Sequence, residues 1–324
     1  ADRSGRLSGP GRAGMSVFAV LRPGPQTLLQ DAGRQRWQHL GVSPGGPVDL
    51  HAAAWANRLL NNSWGSPLLE IALGGLSLEC RGEAWVAVTG AAMPISLEGQ
   101  PQLNWSRFRV RQGQHLQLGQ ARSGQRAYLA VSGGFAATPQ LGSVATQQRD
   151  GLGGLQGDGQ ALRVGDLLTC QPLPLAGPAS VPSDFQPDYA LQPCIRVIPG
   201  GDAMLFGPPQ LQGFFNHNWR ISPHSDRMGA RLYGTALACP VMPAARQWSQ
   251  GVSTGAIQVP ADGQPIILMA DRQSMGGYPL IGWVHPLDLG LLAQCPPHHV
   301  VQFSPVELAA VQAQLRQFYR FFGR

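Results

Sequence analysis

The sequence predicts a mainly β protein with a few short helices, and three observations carry that prediction. Apolar runs are short and end at Gly, Pro or Asp. Gly (42) and Pro (28) together make up about a fifth of the chain, against only 13% charged residues. Helical spacing appears in only a few places. No collagen period accompanies the glycines, and a hydrophobic content of 43% supports a packed core rather than disorder.

The strand candidates are "WVAVTGA" (85–91), "HLQLG" (115–119), "AYLAV" (127–131), "IRVIPG" (195–200), "AIQV" (256–259) and "PIILMA" (265–270). Each is rich in β-branched or aromatic residues. Three helices are expected. "DLHAAAWANRLLNN" (49–62) opens on Asp49 as its N-cap. "LDLGLLAQC" (287–295) is short. "SPVELAAVQAQLRQFYRFF" starts with Ser304 as N-cap, Pro305 at the first helical position and Glu307 closing a capping box. Its Leu308, Val311, Leu315, Phe318 and Phe322 form a stripe that packs on the body of the protein.

Residues 171–193 hold six prolines and read as an extended linker between halves of similar size. The organisation expected is a leader (1–14, with Met15 as the natural start), a first unit (15–170), the linker, and a second unit (194–324) ending in the C-terminal helix. "GQRAYLAVSGGF" (124–135) and "GQPIILMADRQSMGGY" (263–278) share Gly-Gln, an apolar strand, paired glycines and an aromatic, which suggests a duplicated barrel-like unit.

Composition excludes several chemistries. Lysine is absent, so the chain holds no P-loop lysine, no pyridoxal imine and no attached biotin. The formal charge of +6 comes from scattered single Arg residues, with no basic run, which argues against nucleic acid. Five widely spaced cysteines without C-x-x-C suit core thiols in a reducing compartment. With no signal peptide and no 18-residue apolar span, the reading is a cytoplasmic protein without a membrane partner.

Two G-x-S-x-G matches fail on mechanics. Ser43 is followed by Pro44, which lacks the N–H an oxyanion hole needs, and Ser253 leads into a strand rather than a helix. The histidines show no ligand spacing, so no metal ligands are chosen and a metal is left open; "GLGGLQG" (151–157) misses the dinucleotide spacing. His224 reads as a hydrogen-bonded surface residue.

Three polar clusters set in glycine remain: Asp31, Arg34 and Asp49 within 30–49; Asp226, Arg227 and Arg231 within 222–232; and "ILMADRQSMGGYP" (267–279), where an apolar strand runs into Asp271, Arg272 and Gln273. Turn caps and structural ion pairs explain the first two most simply. In the third, Gly276 and Gly277 leave room beside Tyr278, and the charged strand end reads as the lining of a cleft.

Taken in order, "GPQTLLQDAGR", "GVSPGGPVD", "LLEIALGG", "AYLAVSGGF", "LGSVAT", "SDRMGARL", "GAIQVPADGQPIILMADRQSMGGYP" and "LAQC" closely resemble the biotin-dependent carboxyltransferase domain family. That family includes the C component of bacterial 5-oxoprolinase, the antagonist of a sporulation-kinase inhibitor, and part of urea carboxylase. The resemblance implies two tandem cyclophilin-like β-barrel subdomains and a functional cleft near a partner. The partners implied are a B-type component of related fold, of the kinase-inhibitor type, and an A-type component. The substrate implied is a small amide or ureide.

The expected activity is that of an ATP-dependent 5-oxoprolinase component acting only with its partners, with ATP bound in the complex. An unactivated lactam is a poor electrophile, so ATP is expected to phosphorylate its oxygen before water attacks. In that scheme Asp271 is the base or orienter, Arg272 and Arg227 stabilise charge, and Asp226 joins them. Gln258, Gln273 and Tyr278 donate to substrate oxygen beside Gly276 and Gly277, while Asp31, Arg34, Asp49 and Asn57 shape the other wall. The alternatives are carboxyl transfer from partner-borne biotin to a urea-like nitrogen, and a non-enzymatic regulator. Ala92, Gln250 and Leu280 depart from acids and a cation frequent in the family, and Leu280 counts against the urea branch.

Overall fold

The computed structural model describes residues 15–242 and 248–324; the expected leader lies outside these residues. Up to Ser180 the strands divide between two antiparallel sheets. The first has seven strands in the order Phe135–Ala136, Leu167–Cys170, Ser16–Pro23, Leu76–Cys80, His115–Leu118, Ile95–Leu97, Gln100–Gln102. The second has six, in the order Ala179–Ser180, Ser106–Val110, Ala84–Ala92, Ser123–Val131, Leu68–Ala72, Gln26–Gln30.

The two longest strands lie at the centre of the second sheet and are buried on both faces, so their sequences run nearly unbroken in apolar residues. Period-2 alternation divides those residues between two cores. Val86, Val88, Leu129 and Val131 face Phe18, Leu78 and Leu116 of the other sheet. Ala87, Tyr128 and Ala130 face the opposite way, under helix α1 (Leu50–Leu59). As expected, Asp49 caps α1, its Oδ1 accepting from the Ala52 N–H at 3.0 Å.

From Cys194 onward seven strands close a barrel: Cys194–Pro199, Leu280–Val284, Ala256–Gln258, Ile266–Leu268, Gly229–Tyr233, Trp219–Ile221 and Val300–Pro305, the last pairing parallel to the first. Val197, Trp219, Ile257, Ile267, Ile281 and Phe303 fill it. The protein is thus mainly β, with one closed seven-stranded barrel and a C-terminal helix. In the first half strand pairing leaves two sheets rather than a second closed barrel. All six strand candidates fall on strands.

Helix α2 (Ala203–Asn216) is not legible in the sequence because "GPP" interrupts it. Gly207 (φ 72°) breaks it, and Pro208 and Pro209 open the next turn, where their missing N–H groups cost least. Helix α3 (Leu289–Ala293) falls where expected. Helix α4 (Leu308–Phe322) starts later than its capping motif implies. Ser304 and Pro305 finish the last barrel strand, Glu307 is the N-cap without a side-chain bond, and Leu308 is exposed. The C-terminal end of the stripe packs back onto the first half, with Phe318 against Trp64 and Phe322 against Trp55.

A polar knot fixes the start of α4. Arg196 pairs with Asp288 and donates to Gln314 Oε1, which also receives His285 Nε2 at 3.0 Å, while His285 Nδ1 accepts the Leu287 N–H at 3.1 Å. His285 is fully buried and must be neutral to accept that bond. Burial first, and then the Arg196 charge, hold its pKa below the ordinary 6.5. A depressed histidine binds more protons in the unfolded chain, so its stabilisation is complete above pH 6.5 and is lost as pH falls toward the folded value. The thermal midpoint is therefore expected to drop on acidification from pH 7 to 5, and His285→Gln is expected to flatten that slope.

Candidate functional site

The two halves meet at a charged seam. The Gly-rich loop after Gly41 lies along the end of strand Ile266–Leu268: the Gly45 N–H donates to Ala270 O (3.2 Å), and Ser43 Oγ to Arg272 O (2.5 Å). Backbone pairing places Asp271 beside Arg227, with Asp271 N–H donating to Arg227 O at 2.8 Å. Arg227 then makes four side-chain hydrogen bonds. Nε and Nη2 reach Asp271 Oδ2 and Oδ1 at 2.8 and 2.9 Å, Nη1 reaches Glu70 at 2.5 Å, and Nη2 also meets Gly46 O at 2.8 Å.

Glu70 is 2% exposed, and its other oxygen accepts from Val48 N–H (3.0 Å) and Tyr128 Oη (2.9 Å). Burial alone would raise the Glu70 pKa, but Arg227, then Arg126, and these two hydrogen bonds hold it below the ordinary value. Burial opposes the Arg227 charge, yet Glu70 and Asp271 raise its pKa further. Three charges 2–6% exposed and bonded to one another form a structural lock.

The lock bears on two of the expected roles. Each Asp271 oxygen is engaged by Arg227, and four of the five Arg227 donors are spent on Asp271, Glu70 and Gly46, so both side chains serve first to hold the seam together. Arg272 turns elsewhere: it is 4% exposed, donating to Thr254 Oγ1 (3.1 Å) and Gln273 O (2.9 Å), and burial lowers its pKa.

Above the lock lies a cleft of about 470 Å³ between the halves. Gln26, Gln125, Arg126 and Arg149 line it from the first half, and Ser222, Ser225 and Asp226 from the second, with Arg227 and Asp271 contributing to its surface. Asp226 is exposed. Its Oδ1 takes the N–H groups of Met228 (2.8 Å) and Gly229 (3.0 Å), and Oδ2 has no hydrogen bond among the described residues. It is the expected acid that presents an open oxygen to a cavity.

The other expected residues do not form one wall. Asp31 braces a loop, accepting from Gly33 N–H (2.9 Å), Ser143 Oγ (2.5 Å) and Val144 N–H (2.8 Å). Arg34, 1% exposed, donates to Ala145 O (2.6 Å); burial lowers its pKa against the pull of Asp31, Asp271 and Asp150. Asp49 joins the halves through Gln294 Nε2 (2.9 Å) and also accepts from Tyr189 Oη (2.8 Å), whose pKa burial and the Asp49 charge raise. Asn57 donates to Ser66 O (2.9 Å) and, with Asp31, lines a second groove of about 430 Å³ beside α1 and the end of α4. Gln258 is buried against Gly276, where a Cβ would come within 2.3 Å of its Nε2, and that nitrogen has no hydrogen bond. Gln273, Gly277 and the half-exposed Tyr278 sit near the two-stranded sheet formed by Gln250–Gly251 and Met275–Gly276.

His224 is an exposed turn residue whose N–H donates to Ser222 Oγ (3.2 Å). Ser43 is fully buried, with its hydroxyl held by carbonyls. Burial pushes Cys80, Cys170 and Cys295 up to about 12, which removes them as nucleophiles. Sequence reasoning did not select Glu70, Arg126 or Arg149. A signal existed for the first two, since each is a charge inside an apolar strand ("LLEIA", "GQRAYLAV").

Known proteins resemble this chain along nearly its whole length. The family described as "Carboxyltransferase domain, subdomain A and B" matches residues 40–305. The C component of the 5-oxoprolinase of Escherichia coli is 36% identical over 312 residues, covering 95% of this chain and 98% of that protein. That of Haemophilus influenzae is 35% identical over 305 residues, covering 93% and 94%. The urea amidolyase of K. lactis superposes with a TM-score of 0.86 at 28% identity, covering 95% of this chain but only 20% of that one. The chain therefore belongs to the carboxyltransferase domain family of subdomains A and B.

Proposed function

We propose that the protein is the C component of an ATP-dependent 5-oxoprolinase, opening the lactam of 5-oxoproline to glutamate together with A- and B-type components. The observation that carries this reading is end-to-end similarity to the 5-oxoprolinase C component, over 98% of the Escherichia coli protein. The seam cleft supports it chemically. Lactam hydrolysis needs a base to orient water and donors for the oxygen that gains charge. Asp226 offers an open carboxylate oxygen for the first, and the side-chain amides of Gln26 and Gln125 line the same cleft as donors for the second. The base role expected of Asp271 passes to Asp226, with Asp271 and Arg227 as its support.

ATP supplies the activation: phosphorylation of the lactam oxygen makes the carbon open to water, the C–N bond breaks, and a further water releases phosphate. A second reading, carboxyl transfer from partner-borne biotin to a urea-like nitrogen, is favoured by the superposition on K. lactis urea amidolyase. One assay separates them. The chain alone, and the chain mixed with A- and B-type components, are given 5-oxoproline and ATP, and glutamate is measured. Release is expected only from the mixture. Transfer from carboxybiotin to urea without glutamate release would replace the first reading by the second.

A further inference from the structure

We infer that Arg126 anchors a carboxylate in the seam cleft, so that the site selects lactams carrying an acid over neutral amides. The identity of the lactam rests on the function proposed above, and the anchor on the geometry of this chain.

Arg126 arrives on strand Ser123–Val131 and is held from both sides. Its N–H donates to Gln294 Oε1 (2.8 Å), its carbonyl accepts from Gln294 Nε2 (2.8 Å), and its Nη1 donates to Ala293 O (2.5 Å). The backbone bonds fix the strand and the Nη1 bond holds the guanidinium before any ligand arrives, which cuts the ordering cost of binding. Yet its hydrogen-bonding capacity is not used up. Nε is buried without a hydrogen bond, and its nearest acid oxygen, Glu70 Oε1, is 3.8 Å away, beyond hydrogen-bond reach. Nη2 has no hydrogen-bond partner among the described residues.

The other guanidiniums of the cleft are committed. Arg227 spends all three nitrogens on Asp271, Glu70 and Gly46. Arg149 pairs with Asp150 at 2.8 Å and meets Ser43. Glu70 already serves Arg227, so its charge is shared and cannot fully compensate Arg126. An incoming carboxylate would supply acceptors for donors the protein leaves open. The same surroundings limit the ligand's charge. Asp226 and Asp271 line the cleft, with Glu70 buried against Arg227, and they would oppose a dianion such as phosphate, whereas a single carboxylate balances Arg126 alone. A lactam ring bonded to that carboxylate can then extend toward Asp226 on the opposing half.

The test uses the reconstituted three-component complex with two lactams, 5-oxoproline and 2-pyrrolidinone, which lacks the carboxylate. Arg126→Met is expected to raise the 5-oxoproline concentration for half-maximal turnover by roughly 10- to 100-fold, leave the response to 2-pyrrolidinone unchanged, and be partly rescued in Arg126→Lys. A measurement independent of any variant's folding accompanies it: the ¹⁵Nε signal of Arg126 in the wild-type chain is expected to move on adding 5-oxoproline but not 2-pyrrolidinone. Equal loss on both lactams, or an Arg126 signal that stays still under saturating 5-oxoproline, overturns the anchor. If the wild-type complex releases no glutamate, the parent function falls, and the Arg126 signal still decides the anchor.

Discussion

Asp271→Asn is expected to cost the isolated chain about 3–5 kcal/mol, the penalty typical of breaking a buried ion pair by removing one partner. The carboxylate accepts two N–H groups from one edge of Arg227, at 2.8 and 2.9 Å. Asparagine keeps one acceptor and turns an NH₂ toward a donor. The loss of charge matters more. Arg227 and Arg126 would then share Glu70 alone, in a site where Arg227 is 5% exposed and Glu70 2%. Because Arg227 also holds Gly46 O at 2.8 Å, the loosened fork weakens the contact between the halves. The expected fall in thermal midpoint is about 4–8 °C, read by calorimetry.

Asp226→Asn is expected to do the reverse. Its Oδ1 accepts both turn N–H groups and survives as the amide oxygen, so the turn at Met228 and Gly229 keeps its cap and the melting curve is unchanged. What disappears is the basic oxygen facing the cleft. Loss of a general base typically costs about 10²–10⁴ in rate, and glutamate release from the complex should fall within that range at unchanged ATP and 5-oxoproline. Asp226→Glu keeps the carboxylate but displaces it, and should recover only part of the rate.

Much of the fold was legible because local pattern decides it. The strands around Val86 and Leu129 are marked by apolar continuity, and Asp49 marks the start of α1 by a cap that needs no tertiary information. Where local signals competed, they misled. Ser304-Pro305 looks like a helix start, but barrel closure claims both residues for the last strand, in parallel register with Arg196 and Val197. The glycine and prolines of α2 hide a helix that resumes after a break.

The site was less legible for a related reason. "MADRQ" shows a carboxylate at a strand end, but its partner Arg227 lies 44 residues earlier and that arginine's second acid, Glu70, 157 residues away. Whether an acid is open or committed depends on such distant partners. The sequence therefore pointed to the seam cleft through Asp226, Arg227 and Asp271, but could not tell its reactive rim from its locked floor. Arg126 was marked as a charge inside an apolar strand, but that signal does not say which cavity the strand faces.

Urea unfolding of Asp271→Asn, run beside its glutamate release in the complex, tests the floor-and-rim division most directly. The account predicts a clearly lower unfolding midpoint with unchanged m-value, and turnover that survives wherever the variant is folded. A variant that unfolds at the wild-type midpoint yet makes no glutamate would contradict it, and would return the reacting carboxylate to Asp271.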